Sequence, residues 1–381
     1  MLSNFDDKLG CYRVGRLKLY SKLEAIRLHA ATGTSLHWDF NEAVFSSYDW
    51  TQEPTEDILE LYRDRAQQLR DKYDYIILMY SGGADSTTVL ESFILNNIKL
   101  DEVASYTNYN ATGDKDNYLN GEIFRVSVPY IEHMREIRPD LKYRHIDLTE
   151  LTIDKFKDKE SSETWIYSIN MILNPNAASR ESLPLKIKDW ADIIHSGKKL
   201  CILWALDKPR IHHINNKYAF SFIDYIDNGP TVKSMAGKQP YTDELFYWTP
   251  DKPEIMIKQG HLIKNYLSKD ITQLPFISQE KSDLAYREVN GIKYWISSHG
   301  VHSLIYPKWD IKTFTLGKPH SLILSPRDTW FFNIETENPI RKHWKTGLDL
   351  LWKTIPDYWK IDPLDISKGI CGTKSKYYFL E

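Results

Sequence analysis

The stretch "YDYIILMYSGGADSTTVLESFI", Tyr73 to Ile94, decides how this chain is read. Tyr75–Tyr80 is a short continuous apolar run. A strand covered on both faces reads this way, which predicts a parallel sheet. The run ends in Ser81-Gly82-Gly83-Ala84-Asp85-Ser86, and a helical pattern follows over about Ser86–Leu95. A strand that ends in a glycine pair and feeds straight into a helix makes an anion cradle. The glycines let backbone N–H groups approach the anion, and the helix start adds partial positive charge. Ser81, Ser86, Thr87 and Thr88 add hydroxyl donors. Asp85 is compatible with a phosphate when a cation lies between them, so the expected anion is a polyphosphate carrying Mg²⁺.

Outward from this corner, strands and helices alternate. Glu53–Tyr73 predicts a helix with Pro54 in its first turn and Arg65, Arg70 and Lys72 late, in line with the macrodipole. Ile58, Leu61, Tyr62, Leu69 and Tyr73, with Ala66 less tightly, form its apolar stripe. Leu100–Thr107, Lys142–Leu148 and Leu200–Arg210 read as further strands, and "FRVSVPYIEHMREIRP" (Phe124–Pro139) as a helix. The alternation predicts an α/β fold, a doubly wound, mostly parallel sheet. Ser35–Phe45 carries a short strand signal before it. Asp251–Leu267 predicts a helix, with Asp251 as N-cap and Pro253 in the first turn. From about Ser268 the chain mixes aromatic-rich strands, proline turns and a helix near Asn338–Lys353. Three segments are therefore expected: an N-terminal addition (1–72), the nucleotide-type domain (73–267) and an aromatic-rich C-terminal addition (268–381), both additions of α+β character.

Composition bounds the function. The chain has 381 residues, 42% of them hydrophobic, enough for a sizeable core plus additions. The net charge of −3 gives no electrostatic footprint for nucleic acid. Three cysteines, Cys11, Cys201 and Cys371, fit neither a disulfide framework nor a thiolate zinc site. A reducing compartment, no signal peptide, no membrane span and a cytoplasmic location are expected. The 12 Trp and 24 Tyr read first as core and surface filling.

The loop is not a Walker loop, which needs Gly-Lys followed by Ser or Thr. The Gly-Lys pairs at 197, 237 and 317 are followed by Lys199, Gln239 and Pro319. No G-x-G-x-x-G follows the strand, so a dinucleotide site has no support. "YIILMYSGGADSTTVL" does resemble the PP-loop signature, Ser-Gly-Gly-x-Asp-Ser, of the ATP pyrophosphatases (adenine nucleotide α-hydrolases, HUP-like in fold). Asparagine synthetase-type ligases, GMP synthetase, tRNA lysidine and thiolation enzymes and phosphoadenylylsulfate reductases share it. The resemblance covers about Tyr73–Arg210. It implies cleavage of ATP between the α and β phosphates: a substrate oxygen attacks the α-phosphate, and an amine, ammonia or sulfur nucleophile then displaces AMP. Carried onto this chain, Ser81, Gly82, Gly83, Asp85 and Ser86 would bind pyrophosphate and Mg²⁺. Ser105 and Tyr106, with Thr107, would lie where such folds seat adenine.

"ALDKPR" (Ala205–Arg210) ends the last buried strand, on the edge where open α/β sheets bind ligands. There Asp207 would take metal, while Lys208 and Arg210 would neutralise charge on the leaving group; the competing reading is a strand-ending turn with solvated charges. "NPNAASRES" (Asn174–Ser182) offers Arg180 as an anion clamp, or is only a capping loop. Lys258 and His261 share a helix face, which would either reach the site or, as expected, lie on a solvated surface. His212-His213 point to different sides of a strand or helix, and His299-x-x-His302 lacks an obvious carboxylate or thiol companion, so neither predicts a dedicated metal site.

Three functions compete. The first is an ATP-dependent, AMP-forming ligase or amidating enzyme acting on a small molecule. It would draw ammonia or an amine from solution or a partner, since no amino-terminal Cys is present for glutamine hydrolysis. The second is a reductase like the phosphoadenylylsulfate enzymes, using Cys371. In "GICGTK" only the Cys-Gly pair matches that family's C-terminal tail. The third is a nucleotide-binding module without turnover. The first is favoured by Asp85, because a pure binding site has less need of a metal-orienting carboxylate.

Overall fold

The computed structural model describes residues 10–19, 22–107, 109–113, 115, 120–151, 183–206, 209–224, 240–269, 286–289, 292–295, 304–307 and 373–381. Its centre is a five-stranded sheet built from β4 (Tyr75–Met79), β5 (Glu102–Thr107), β6 (Lys142–Asp147), β7 (Leu200–Trp204) and β11 (Thr242–Leu245). The order across the sheet is β11-β7-β4-β5-β6, and every pair is parallel. This is an α/β architecture. Ile76, Ile77 and Leu78 are fully buried, as the unbroken apolar run requires of a central strand.

Counted within the sheet, the strand order is 3-2-1-4-5, so the winding reverses at β4. The chain leaves β4 toward β5 on one side and returns to β7 on the other. Open α/β sheets hold ligands at such a reversal, outside the carboxyl ends of the strands, which here are those of β4 and β7. The β7–β11 connection includes antiparallel strands, β8 (Arg210–Ile214), β9 (Lys217–Ser221) and β10 (Ile223–Asp224). Neither β11 nor this hairpin was expected from the sequence; "TDEL" is too short and too acidic to read as a buried strand. Its Glu244 is tolerated because the Arg65 guanidinium meets it at 3.0 Å.

The helix before the sheet, α3, covers Ile58–Lys72, not Glu53–Tyr73. Pro54 precedes it, and Asp57 and Glu60 close a capping box. That box satisfies two first-turn N–H groups reciprocally and fixes the start. Helix α4 runs from Ala84 to Ile94. The expected Phe124 helix splits into a π-helical turn, Ile123–Ser127, and α6, Val128–Ile137. Pro129 supplies a reason: it cannot donate, and its ring would crowd the Arg125 carbonyl in a regular turn. The helix expected near 338–353 lies outside the described residues, and the helix Glu254–Leu267 has Pro253 as its cap. Asp251 therefore does not cap it; its carboxylate faces Arg65 and Lys72, 3.8 Å from each.

The N-terminal addition contributes β1 (Cys11–Val14), β2 (Leu17–Leu19) and β3 (Leu36–Asp39), an antiparallel sheet in the order β2-β1-β3. From the C-terminal addition come the hairpin strands β12 (Tyr286–Val289) and β13 (Ile292–Trp295). The last two strands, β14 (Thr373–Lys374) and β15 (Tyr378–Phe379), pair with β10 and β9. One hydrophobic cluster runs through all three segments, from Tyr12 to Leu380. Trp50, Phe220, Phe222, Trp248 and Tyr378 join them by ring contacts of 4.6–5.1 Å. Much of the aromatic excess is spent in this core. No described helix is long and apolar enough to cross a membrane.

Candidate functional site

The Ser81–Ser86 loop leaves the carboxyl end of β4 at the reversal of strand order. Tyr80, the last residue before it, is held from both sides. Its N–H donates to the Ala104 carbonyl at 2.8 Å, and its carbonyl accepts from the Ser105 hydroxyl at 2.7 Å. Its phenol lies 3.0 Å from the Thr87 hydroxyl, and burial pushes that phenol up from its ordinary pKa. The loop therefore starts and ends on fixed anchors.

Gly82 adopts φ +80°, the left-handed region that side chains rarely occupy. A Cβ there would lie 2.5 Å from the Ser127 hydroxyl oxygen, so glycine is required twice over. Gly83 is the N-cap of α4 and brings no side-chain cap. The first N–H groups of a helix have no partner within it. Here they converge on the loop together with the positive end of the dipole. The Ser81 and Ser86 hydroxyls lie 3.2 Å apart, and Ser86 also donates to the Gly83 carbonyl at 3.2 Å. Asp85 is half-buried in the first turn of α4, and its carbonyl accepts from the Tyr247 phenol at 2.8 Å. Ser81, Gly82, Gly83, Asp85 and Ser86 are thus gathered in one strand–loop–helix corner.

The other expected site residues are more dispersed. Ser105 is fully buried, with its hydroxyl committed to Tyr80, so its side chain positions the loop's entry strand. Tyr106 is half-buried and, by the strand's alternation, faces the other side of β5. Arg210 is half-buried at the start of β8, opposite Ser221. Asp207, Lys208, Arg180, Cys371, His299 and His302 lie outside the described residues.

Lys258 and His261 do not form the solvated face expected of them. Lys258 pairs with Glu53 at 2.9 Å, and His261 is buried against the Trp50 carbonyl, also at 2.9 Å. Both tie the Glu254–Leu267 helix to the segment before α3. His212 lies 2.7 Å from the Ser221 hydroxyl, and His213 packs on Tyr218. Among the described residues no group of three or more His, Cys, Asp or Glu could hold a metal ion. A divalent cation here would therefore need ligand oxygens beside the Asp85 carboxylate.

Two parts of the site were not anticipated. Tyr247, just beyond β11, is fully buried and braces α4 from behind; burial pushes its phenol well up. The π-helical turn covers Gly82 with Ser127. Further along the same sheet edge, the Thr107 hydroxyl and His145 Nε2 are 2.8 Å apart, and the Phe124 ring meets His145 edge-on at 5.1 Å. Desolvation pushes the His145 imidazole down, against the pull of Asp147. Pro129 was the one sequence signal for the wide turn; nothing local marked Tyr247. No protein-family model matches the chain, and no curated protein matches it.

Proposed function

We propose that this protein is a PP-loop ATP pyrophosphatase. In this reading it binds ATP with Mg²⁺ at the Ser81–Ser86 loop and cleaves it to AMP and pyrophosphate, adenylating a small-molecule substrate for amidation or ligation. One observation carries the reading: an uncapped helix start follows a left-handed glycine at the point where the strand order reverses. Anion-binding helix starts and ligand crevices of open α/β sheets coincide there.

The residues take distinct roles. Backbone N–H groups of the loop and first helical turn, with the Ser81 and Ser86 hydroxyls, hold the departing pyrophosphate. Asp85 holds Mg²⁺, which when bound spreads the charge of the polyphosphate. A substrate oxygen attacks the α-phosphorus, the bond to the bridging oxygen breaks, and pyrophosphate leaves with its electron pair. Lys208 and Arg210 neutralise that growing charge, Asp207 assists at the metal, and Tyr106 lies toward the base. An amine or ammonia then displaces AMP.

The test incubates the protein with ATP, Mg²⁺ and a metabolite extract, beside Asp85→Asn, and analyses products by mass spectrometry. AMP and pyrophosphate formed only by the unmutated protein support the reading, and the co-consumed metabolite names the substrate. Intact ATP that is nonetheless tightly bound removes ATP cleavage and leaves a binding module. Intact ATP fits the reductase class as well, since such enzymes do not cleave ATP; a Cys371→Ser variant that kept full turnover would remove that class.

A further inference from the structure

The hydroxyls around the loop are nearly all spoken for. Ser81 and Ser86 face each other, Thr87 meets Tyr80, and Ser105 donates to the Tyr80 carbonyl. Ser127 is the exception. Its side chain is fully buried, and its hydroxyl oxygen has no hydrogen-bond partner among the described residues. It sits on the last residue of the π-helical turn and is directed at Gly82, 2.5 Å from where a Cβ on that residue would be.

A buried hydroxyl without a partner is costly, and alanine at this position would fill nearly the same space without the cost. Single π-helical turns recur at functional sites, and a buried polar group left unpaired calls for a partner such as a bound ion. We infer that Ser127 is a further anion ligand of the Ser81–Ser86 loop, its hydroxyl donating to a phosphoryl oxygen of the bound polyphosphate. This rests on the anion-cradle reading of the loop and adds a wall that the loop motif does not contain. Contact requires the Gly82–Gly83 segment to give way by a small rotation. Two glycines in succession permit that, and the missing Cβ of Gly82 leaves only backbone between hydroxyl and cradle. The first helical turn of α4 then holds the anion from one side and the π-helical turn from the other.

The experiment uses the full chain and Mg²⁺-pyrophosphate as the probe, by titration calorimetry and by thermal melting with and without the probe. Ser127→Ala is expected to melt at the same temperature as the parent or higher, because an unpartnered hydroxyl has been removed. Its affinity is expected to fall roughly tenfold or more, the effect of one lost hydrogen bond to a charged group. The rise in melting temperature caused by the probe should shrink with it. Unchanged affinity in Ser127→Ala would overturn the inference while leaving the loop's reading intact. A lower melting temperature together with weaker binding would also overturn it, by making the hydroxyl a structural group. If Ser127→Ala does not fold, Ser127→Cys retains the volume with a poor donor and should show the same loss of affinity. Should the parent protein bind neither Mg²⁺-pyrophosphate nor Mg²⁺-ATP, the anion-cradle reading itself would fall.

Discussion

The phenol of Tyr247 donates to the backbone carbonyl of Asp85 at 2.8 Å, joining the residue after the edge strand region to the first turn of the loop helix. Tyr247 is fully buried against Tyr62, Phe246 and Tyr306, so it has little freedom to follow a shift of α4. The bond acts on the peptide that carries the Asp85 carboxylate. We expect Tyr247→Phe to lose about 1 kcal/mol of stability, one buried hydrogen bond. If Asp85 holds Mg²⁺, the variant should also need more Mg²⁺ for half-maximal ATP binding, while binding without metal changes little. Urea unfolding and Mg²⁺ titrations separate these effects. Equal changes with and without metal would mean that Tyr247 braces the helix and nothing more.

Gly82 answers to two constraints that can be taken apart. Gly82→Ala forces a side chain into the left-handed region and against the Ser127 hydroxyl. Together these should cost about 2–4 kcal/mol and abolish anion binding. Adding Ser127→Ala removes the hydroxyl but neither the positive φ nor the Ser127 backbone nitrogen, 3.2 Å from the new Cβ. The pair should therefore recover part of the lost stability and none of the binding. A double-mutant cycle by urea unfolding checks this. Strict additivity would show that the two residues do not press on each other.

The central strands were legible because their signal is local. "YIILM" and "LCILW" lie in the sheet where unbroken apolar runs place them, "EVASYT" pairs beside them as the strand expected after the loop helix, and the glycine pair marked the turn into α4. The loop's own residues could be read for the same reason. What surrounds them depends on contacts far along the chain. Tyr247 meets Asp85 across 162 residues, and Glu244 becomes acceptable in a buried strand through Arg65, 179 residues away. No window of sequence contains either pairing. Asp251 was misread because a helix start with Asp two residues before Pro fits the capping pattern, yet a buried guanidinium competes for the same carboxylate.

That buried pair makes its own test. Arg65 is wholly buried; it donates to Glu244 at 3.0 Å, to the Leu245 carbonyl at 3.0 Å and to Gln68 at 2.6 Å. Glu244 also accepts from Lys72 and from the Tyr73 phenol. Removing one partner strands a charge in a dry site, so Glu244→Leu should destabilise by about 3–5 kcal/mol. Replacing both, Arg65→Leu with Glu244→Leu, should recover much of that loss. Denaturant unfolding of the two variants decides. A double variant as unstable as the single one would assign the cost to lost packing, not to the stranded charge.

His261 gives the fold a dependence on pH. It is buried on the Glu254–Leu267 helix, with Nε2 2.9 Å from the Trp50 carbonyl, so the neutral ring must carry its proton there. Burial lowers its pKa, helped by Lys264 and Lys258 and opposed by the Trp50 carbonyl and Glu53. A histidine whose folded pKa is depressed binds its proton more readily when unfolded. Its contribution to stability is then complete above the unfolded value near 6.5 and declines as the pH falls below it, levelling off under the folded value. His261→Gln keeps a donor for Trp50 and removes the titration. The stability of the parent minus that of the variant, from urea unfolding between about pH 5 and pH 8, should be flat above pH 7 and fall toward pH 5. A difference that stays constant over the whole range would show that His261 keeps its ordinary pKa in the folded protein.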